Sequence, residues 1–175
     1  VMTSQQNIRL QRAIQAQSAG NVAYAEAEYR SLLAEKIRTP QILCNLAAIC
    51  ARSERRDEAD NLWKQTLAIS PRFLEAQMNL AESLQQAGKF EQALNLYQRI
   101  SSDHRQLVAP RYLLGNLLKS QGRFSEAMDL YQQIMAQQPT YIQAHFSYSS
   151  IHSYRDKTDP HIGLMLDLYA NKELT

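Results

Sequence analysis

Two stretches of this chain, "GKFEQALNLYQRI" at 88–100 and "GRFSEAMDLYQQI" at 122–134, say nearly the same thing 34 residues apart. Self-similarity at a fixed period of this length is the mark of stacked repeats, each too small to bury its own apolar face. The period runs through four columns without an inserted residue. Tyr29, Trp63, Tyr97 and Tyr131 form the first, and Ala25, Ala59, Ala93 and Ala127 the second. Gly20, Glu54, Gly88 and Gly122 form the third, and Ala13, Ala47, Ala81 and Gly115 the fourth. Pro71 and Pro139 stand two periods apart near the end of a unit.

Each column has a mechanical meaning. An aromatic four residues after an alanine shares its helix face, so the small residue admits a neighbouring helix and the ring fills the space beside it. A glycine between two helical stretches takes the left-handed conformation that ends the first of them. A proline after the second helix closes that helix or opens the next. The unit is therefore helix–turn–helix.

The pairs Leu46-Ala47, Leu80-Ala81 and Leu114-Gly115, the pattern G-x-F-x-x-A-x-x-x-Y at 88–97 and 122–131, and the closing proline resemble the tetratricopeptide repeat (TPR). The resemblance implies an all-α fold, an α-α superhelix of four repeats at about 6–39, 40–73, 74–107 and 108–141. It also implies that the first helices line an inner face. Repeat two departs at Glu54 and Arg56, where the pattern has glycine and an aromatic. Repeat one departs at Val22 and Arg12, a charge tolerable only in an end unit. Repeat three carries Arg105 where its neighbours carry proline.

Composition narrows function by exclusion. A net charge of +2 gives no electrostatic reason to expect nucleic acid or an anionic membrane as partner. No apolar run approaches the ~20 residues that span a bilayer, and the start "VMTSQQNIRL" lacks the apolar stretch of a secretory leader. Met2 reads as a native start preceded by a residual Val1, and a cytoplasmic location is the expectation. Cys44 and Cys50 lie six apart, on different faces of one helix, and read as small apolar residues. Phosphate loops, nucleophile elbows and zinc-protease motifs are lacking, so catalytic residues, metal and cofactor are all expected to be none. His145, His152, Asp156, Asp159 and His161 could be imagined around a metal. The plainer reading makes His145 and His152 half-buried residues of one helix and "DKTDP" a turn in which Asp159 and Pro160 cap and open the next.

A binding face is the remaining candidate. Beside the core stripe of each first helix runs a second stripe, spaced i, i+4, i+7. It reads Leu10, Ile14, Gln17, then Cys44, Ala48, Ala51, then Met78, Glu82, Gln85, then Tyr112, Asn116, Lys119. Its leading members, continued to Phe146, are apolar at every period. Two readings stand: packing between adjacent first helices, or an apolar floor suited to an extended or helical peptide. Asn45, Asn79 and Asn116 accompany the stripe. The TPR resemblance implies that asparagines so placed hydrogen-bond a peptide backbone, which an amide can do as donor and acceptor together. A clamp for a carboxylate is disfavoured, since only Arg52 and Lys119 supply cations, with Glu82 between them. The expected binding set is Leu10, Ile14, Cys44, Asn45, Met78, Asn79, Glu82, Tyr112, Asn116, Lys119 and Phe146.

After about residue 155 the period fails. "YIQAHFSYSSIHSY" predicts a first-type helix, and "PHIGLMLDLYANKEL" a further one, so residues 142–175 form a degenerate fifth helix pair. The last helix is too apolar for a solvated cap, and Thr175 is placed to cap another; both suggest a C-terminal domain beyond. Asp159-Pro160-His161-Ile162, with Leu164 to Leu168 after it, resembles the junction that follows TPR arrays in bacterial sulfotransferases using phosphoadenosine phosphosulfate. That resemblance implies a catalytic domain outside 1–175 and no catalysis by this stretch. The expected partners are a protein or peptide, including the parent's own C-terminal domain, and a second copy docked through the terminal helix.

Overall fold

A computed structural model of the chain describes residues 2–172. Val1 and Thr175, and with Thr175 its expected capping role, lie outside the described residues. The regular structure among the described residues is all helical, with no strand. The helices are α1 (Ser4–Ser18), α2 (Val22–Ala34), α3 (Pro40–Arg52), α4 (Arg56–Ile69) and α5 (Leu74–Gln86), then α6 (Phe90–Asp103), α7 (Val108–Ser120), α8 (Phe124–Gln137), α9 (Ile142–Ser149) and α10 (Pro160–Lys172). The period set out above governs where they begin. Second helices start at residues 22, 56, 90 and 124, and first helices at 40, 74, 108 and 142. The chain divides into two compact units, Val1–Lys89 and Phe90–Thr175.

The turn inside each repeat is closed by the main chain. Asn21, Arg55, Lys89 and Arg123 each donate their amide five residues back, to Ala16, Cys50, Leu84 and Leu118, at 2.8–3.0 Å. This bond needs the preceding residue left-handed. Gly20, Gly88 and Gly122 supply that at φ 84°, 73° and 74°, and Glu54 adopts it too, at φ 61°, despite its side chain. Repeat two thus keeps the turn that its sequence seemed to lack.

Within the first unit each helix packs on the next from α1 to α5, and α3 also touches α5. Ala13, Ala25, Ala47, Ala59 and Ala81 are wholly buried, as is Tyr29, and Trp63 nearly so. Burying such a ring is worth about 1.5–3 kcal/mol. Thr39 caps α3 through its hydroxyl, with Pro40 at the first helical position. Arg9 ties α1 to α2 by pairing with Glu28 at 2.9 Å and Glu35 at 2.5 Å.

The second unit stacks α6 through α9 in order. Ala93, Ala127, Tyr97 and Tyr131 are buried. Gly115 takes the small position because Tyr131 occupies the space: a Cβ there would lie 2.7 Å from the ring's Cε1.

A further periodic device appears at the connection into each of three first helices. Gln77 Nε2 donates to the Pro71 carbonyl (2.9 Å), Arg111 Nη2 to that of Arg105 (2.6 Å), and His145 Nε2 to that of Pro139 (2.8 Å). Three unlike side chains, one period apart, make the same clasp on the carbonyl six residues back. A carbonyl outside the helices accepts from any N–H of sufficient reach.

The end of the chain departs from expectation. The helix anticipated over 141–154 stops at Ser149. Ser150 closes it: its amide still reaches the Phe146 carbonyl at 3.1 Å, while its hydroxyl takes the Ser147 carbonyl at 2.7 Å and the Ile151 amide turns to that of Tyr148 at 3.1 Å. His152 is therefore not on the helix face of His145. The Asp159–Pro160 start is as read: Asp159 Oδ1 accepts the His161 amide at 2.9 Å.

Candidate functional site

The structure sorts the expected binding residues by accessibility. Three need correcting. Leu10, Cys44 and Asn45 are 8%, 0% and 7% exposed, so their side chains belong to the packing and are not open to a ligand. Burial pushes the Cys44 thiol up to about 12 and that of Cys50 to about 11, which leaves both as inert thiols. Asn45 donates to the Tyr29 hydroxyl at 3.0 Å and accepts from Gln41 at 2.8 Å. Its amide serves the repeat's own aromatic.

The rest of the stripe in the first unit is open. Ile14, Met78 and Asn79 are half-buried and Glu82 is exposed. Between α3, α4 and α5 lies a cavity of about 470 Å³, bounded by Ala48, Ala51, Asn79 and Glu82 together with Arg52, Arg56 and Trp63. The two alanines leave its floor low, and cations from the end of α3 and the start of α4 face carboxylates on α5. None of the described hydrogen bonds engages the Asn79 amide. Arg56 was not among the expected residues. It takes the place of the pattern's aromatic, and that departure was the signal.

In the second unit, Tyr112, Asn116 and Lys119 are half-buried on α7 and Phe146 is 71% exposed on α9. Much of α7's capacity is already committed. The Tyr112 ring meets those of Tyr131 and Tyr141, with centroids 6.1 and 5.5 Å away, and its hydroxyl lies 3.2 Å from Ser147 Oγ. Asn116 accepts the Tyr131 hydroxyl at 2.8 Å, and Lys119 reaches Ser150 at 3.4 Å. A larger polar cavity, about 800 Å³, lies on another face of α6, α7 and α8, and none of the four expected residues lines it.

The imidazoles of the tail do converge. His145 Nδ1 lies 3.1 Å from His161 Nε2, Tyr154's hydroxyl 2.6 Å from His161 Nδ1, and His152 Nε2 3.1 Å from Asp159 Oδ2. Asp156 turns away to bond Thr158. Among the described residues no group of three or more histidines, cysteines or carboxylates could hold a metal ion.

Helix pairs joined by a left-handed turn, small residues facing buried rings and an open face on the first helices define an all-α repeat solenoid, a scaffold consistent with a protein-interaction role. The tetratricopeptide repeat model matches residues 51–114 and 86–147, more than half of the chain, and the chain belongs to that family. Its backbone is similar to solved structures of MamA. One crystal structure superposes with a TM-score of 0.81 at 17% identity over 93% of this chain and 97% of that one. A double mutant of the RS-1 protein gives 0.83 at 13% over all of both chains. The protein from Desulfovibrio magneticus RS-1, starting at residue 41, gives 0.81 at 12% over 100% of this chain and 99% of that one. At these identities the likeness is one of fold. No curated protein matches the chain. No described helix is long and apolar enough to cross a membrane.

Proposed function

We propose that the chain is a protein-interaction scaffold that takes a peptide segment on the first-helix face, with the cleft of α3, α4 and α5 as its principal site. The observation that carries this reading is the 470 Å³ cavity, which pairs an alanine floor with the Asn79 amide and with charges of both signs. Apolar anchors fit the floor, and Asn79 can read a peptide backbone as donor and acceptor. Glu82 lines that site, and Ile14 and Met78 belong to the same stripe of first-helix residues. Asn116, Lys119 and Phe146, with the free part of Tyr112, offer a second contact region.

The test fills the cavity. A peptide selected by display against the chain binds the wild type, and Ala48→Phe weakens it by on the order of 2 kcal/mol while the melting temperature stays put. Equal affinity in calorimetry would remove the site. A finer reading makes the chain the front part of a sulfotransferase, resting on the Asp159–Ile162 junction. It expects no binding of phosphoadenosine phosphosulfate by residues 1–175. Self-association through α10 is favoured by the exposure of Leu164, Leu166 and Tyr169, at 52%, 64% and 67%. Sedimentation of the wild type against Leu166→Glu decides it. Four repeats over 1–141 and a cytoplasmic location complete the proposal.

A further inference from the structure

The last helix is attached to its unit by polar groups as well as by apolar ones. Ile162, Met165 and Leu168 of α10 are half-buried, and Met165, Leu168 and Tyr169 line a small apolar cavity with Ile142, His145 and Phe146 of α9. The one buried side chain of α10, among those described, is His161. Beside that half-buried face, a string of hydrogen bonds runs through that residue.

The protons in the string have a forced order. The Pro139 carbonyl can only accept, so His145 Nε2 carries the hydrogen of the 2.8 Å bond. A neutral His145 then presents a lone pair at Nδ1, and His161 Nε2 must donate across the 3.1 Å gap. That leaves His161 Nδ1 as the acceptor for the Tyr154 hydroxyl at 2.6 Å. The ring planes are near parallel, 7° between the imidazoles and 6° between Tyr154 and His161. Every donor points one way, from Tyr154 through His161 and His145 to Pro139, and each imidazole has one permitted tautomer.

We propose that this relay is an acid-sensitive latch, which holds α10 against α9 while both imidazoles are neutral and frees the helix when they take up protons. A proton on His161 faces an N–H towards Tyr154, whose hydroxyl must reverse. A proton on His145 forces His161 into its other tautomer. Two protons set N–H against N–H at 3.1 Å, and the string cannot survive.

The surrounding groups set the sign. From α9, His145 and the ring of Tyr148, 4.9 Å away, face His161. From the connecting segment come His152, Tyr154 and Asp159. Asp159 favours a charged His161 and so works against the depression, but it is committed to His152 at 3.1 Å and to the His161 amide. Burial, then the nearby His145, holds His161 below its ordinary value of 6.5. Released, His161 titrates at that ordinary value. The released state therefore binds a proton that the docked state refuses, and docking is full above about pH 6.5 and declines as pH falls, by at most about tenfold per unit for one proton. Release uncovers the part of α9 that carries His145 and Tyr148.

Hydrogen exchange on the 175-residue chain, corrected for intrinsic rates, tests the latch. From pH 7.5 to 5.5, α10 amides should lose protection by several-fold, up to about tenfold, while those of α7 and α8 keep theirs. His161→Phe should abolish that pH dependence, whether α10 is left docked or free. His152→Gln, which leaves the relay whole, should preserve it. In nitrogen-detected spectra at pH 7.5, His161 should carry its hydrogen on Nε2. Flat protection of α10 across this range in the wild type, pH dependence surviving in His161→Phe, or a hydrogen on Nδ1 would each overturn the latch.

Discussion

Glu54 shows how far one position can stray without changing the fold. It stands in the glycine column, at φ 61°, and the turn closes around it with the same five-back bond as its neighbours. A side chain in the left-handed region costs about 1 kcal/mol. Glycine removes that cost and returns part of it as freedom in the unfolded chain. Glu54→Gly should therefore raise stability by about 0.5 kcal/mol, or about 1–2 °C in the thermal midpoint of a chain this long. A lower midpoint would show that the glutamate side chain supports the turn. At this scale the columns were legible in the sequence because each one names a backbone or packing requirement. The binding residues were less so. Spacing puts Cys44 and Asn45 on the candidate stripe. It does not tell that Tyr29, 16 residues back, takes the Asn45 amide, since that contact exists only once the helices pack.

Among elements, α2 and the start of α4 are joined by charge. Glu26 and Arg30 on α2 interlock with Arg55 and Glu58, with Arg55–Glu26 at 2.7 Å and Arg30–Glu58 at 2.7 Å. Arg55 holds the Glu26 carboxyl below its ordinary 4.5, and Arg30 does the same for Glu58. Groups lowered in the folded state stabilise it above their unfolded value and cease to do so as pH drops through the folded one. The urea midpoint of the chain should then fall below pH 4.5, by the equivalent of under about 1 kcal/mol because these side chains are partly solvated. Glu26→Gln should flatten that slope, and so should 1 M salt, where screening acts within ~3 Å. A slope indifferent to both would assign acid sensitivity elsewhere. The helices α3 to α8 were readable because period, caps and prolines agree. The early end of α9 was not. Apolar spacing continues through Ile151, while the Ser150 hydroxyl takes the Ser147 carbonyl that the Ile151 amide would have used.

Over the whole chain, the division into Val1–Lys89 and Phe90–Thr175 falls between the two helices of repeat three, not between repeats. A fragment of residues 1–89 keeps α1 to α5 and closes on the left-handed Gly88. It should melt cooperatively with a helical signal, since repeat arrays are stabilised by neighbour contacts that this piece retains. A fragment without a transition in circular dichroism would show that the first unit depends on the second. The family model starts at residue 51, although helix pairs begin at Ser4, and solved backbones superpose at only 12–17% identity. The five-back turn bond accounts for both. It is made by peptide groups alone, so the side chains around it can drift over evolutionary time without moving the helices they separate. Ancestry in such a chain fades from its letters long before it fades from its geometry, and repeat one is where the letters have faded first.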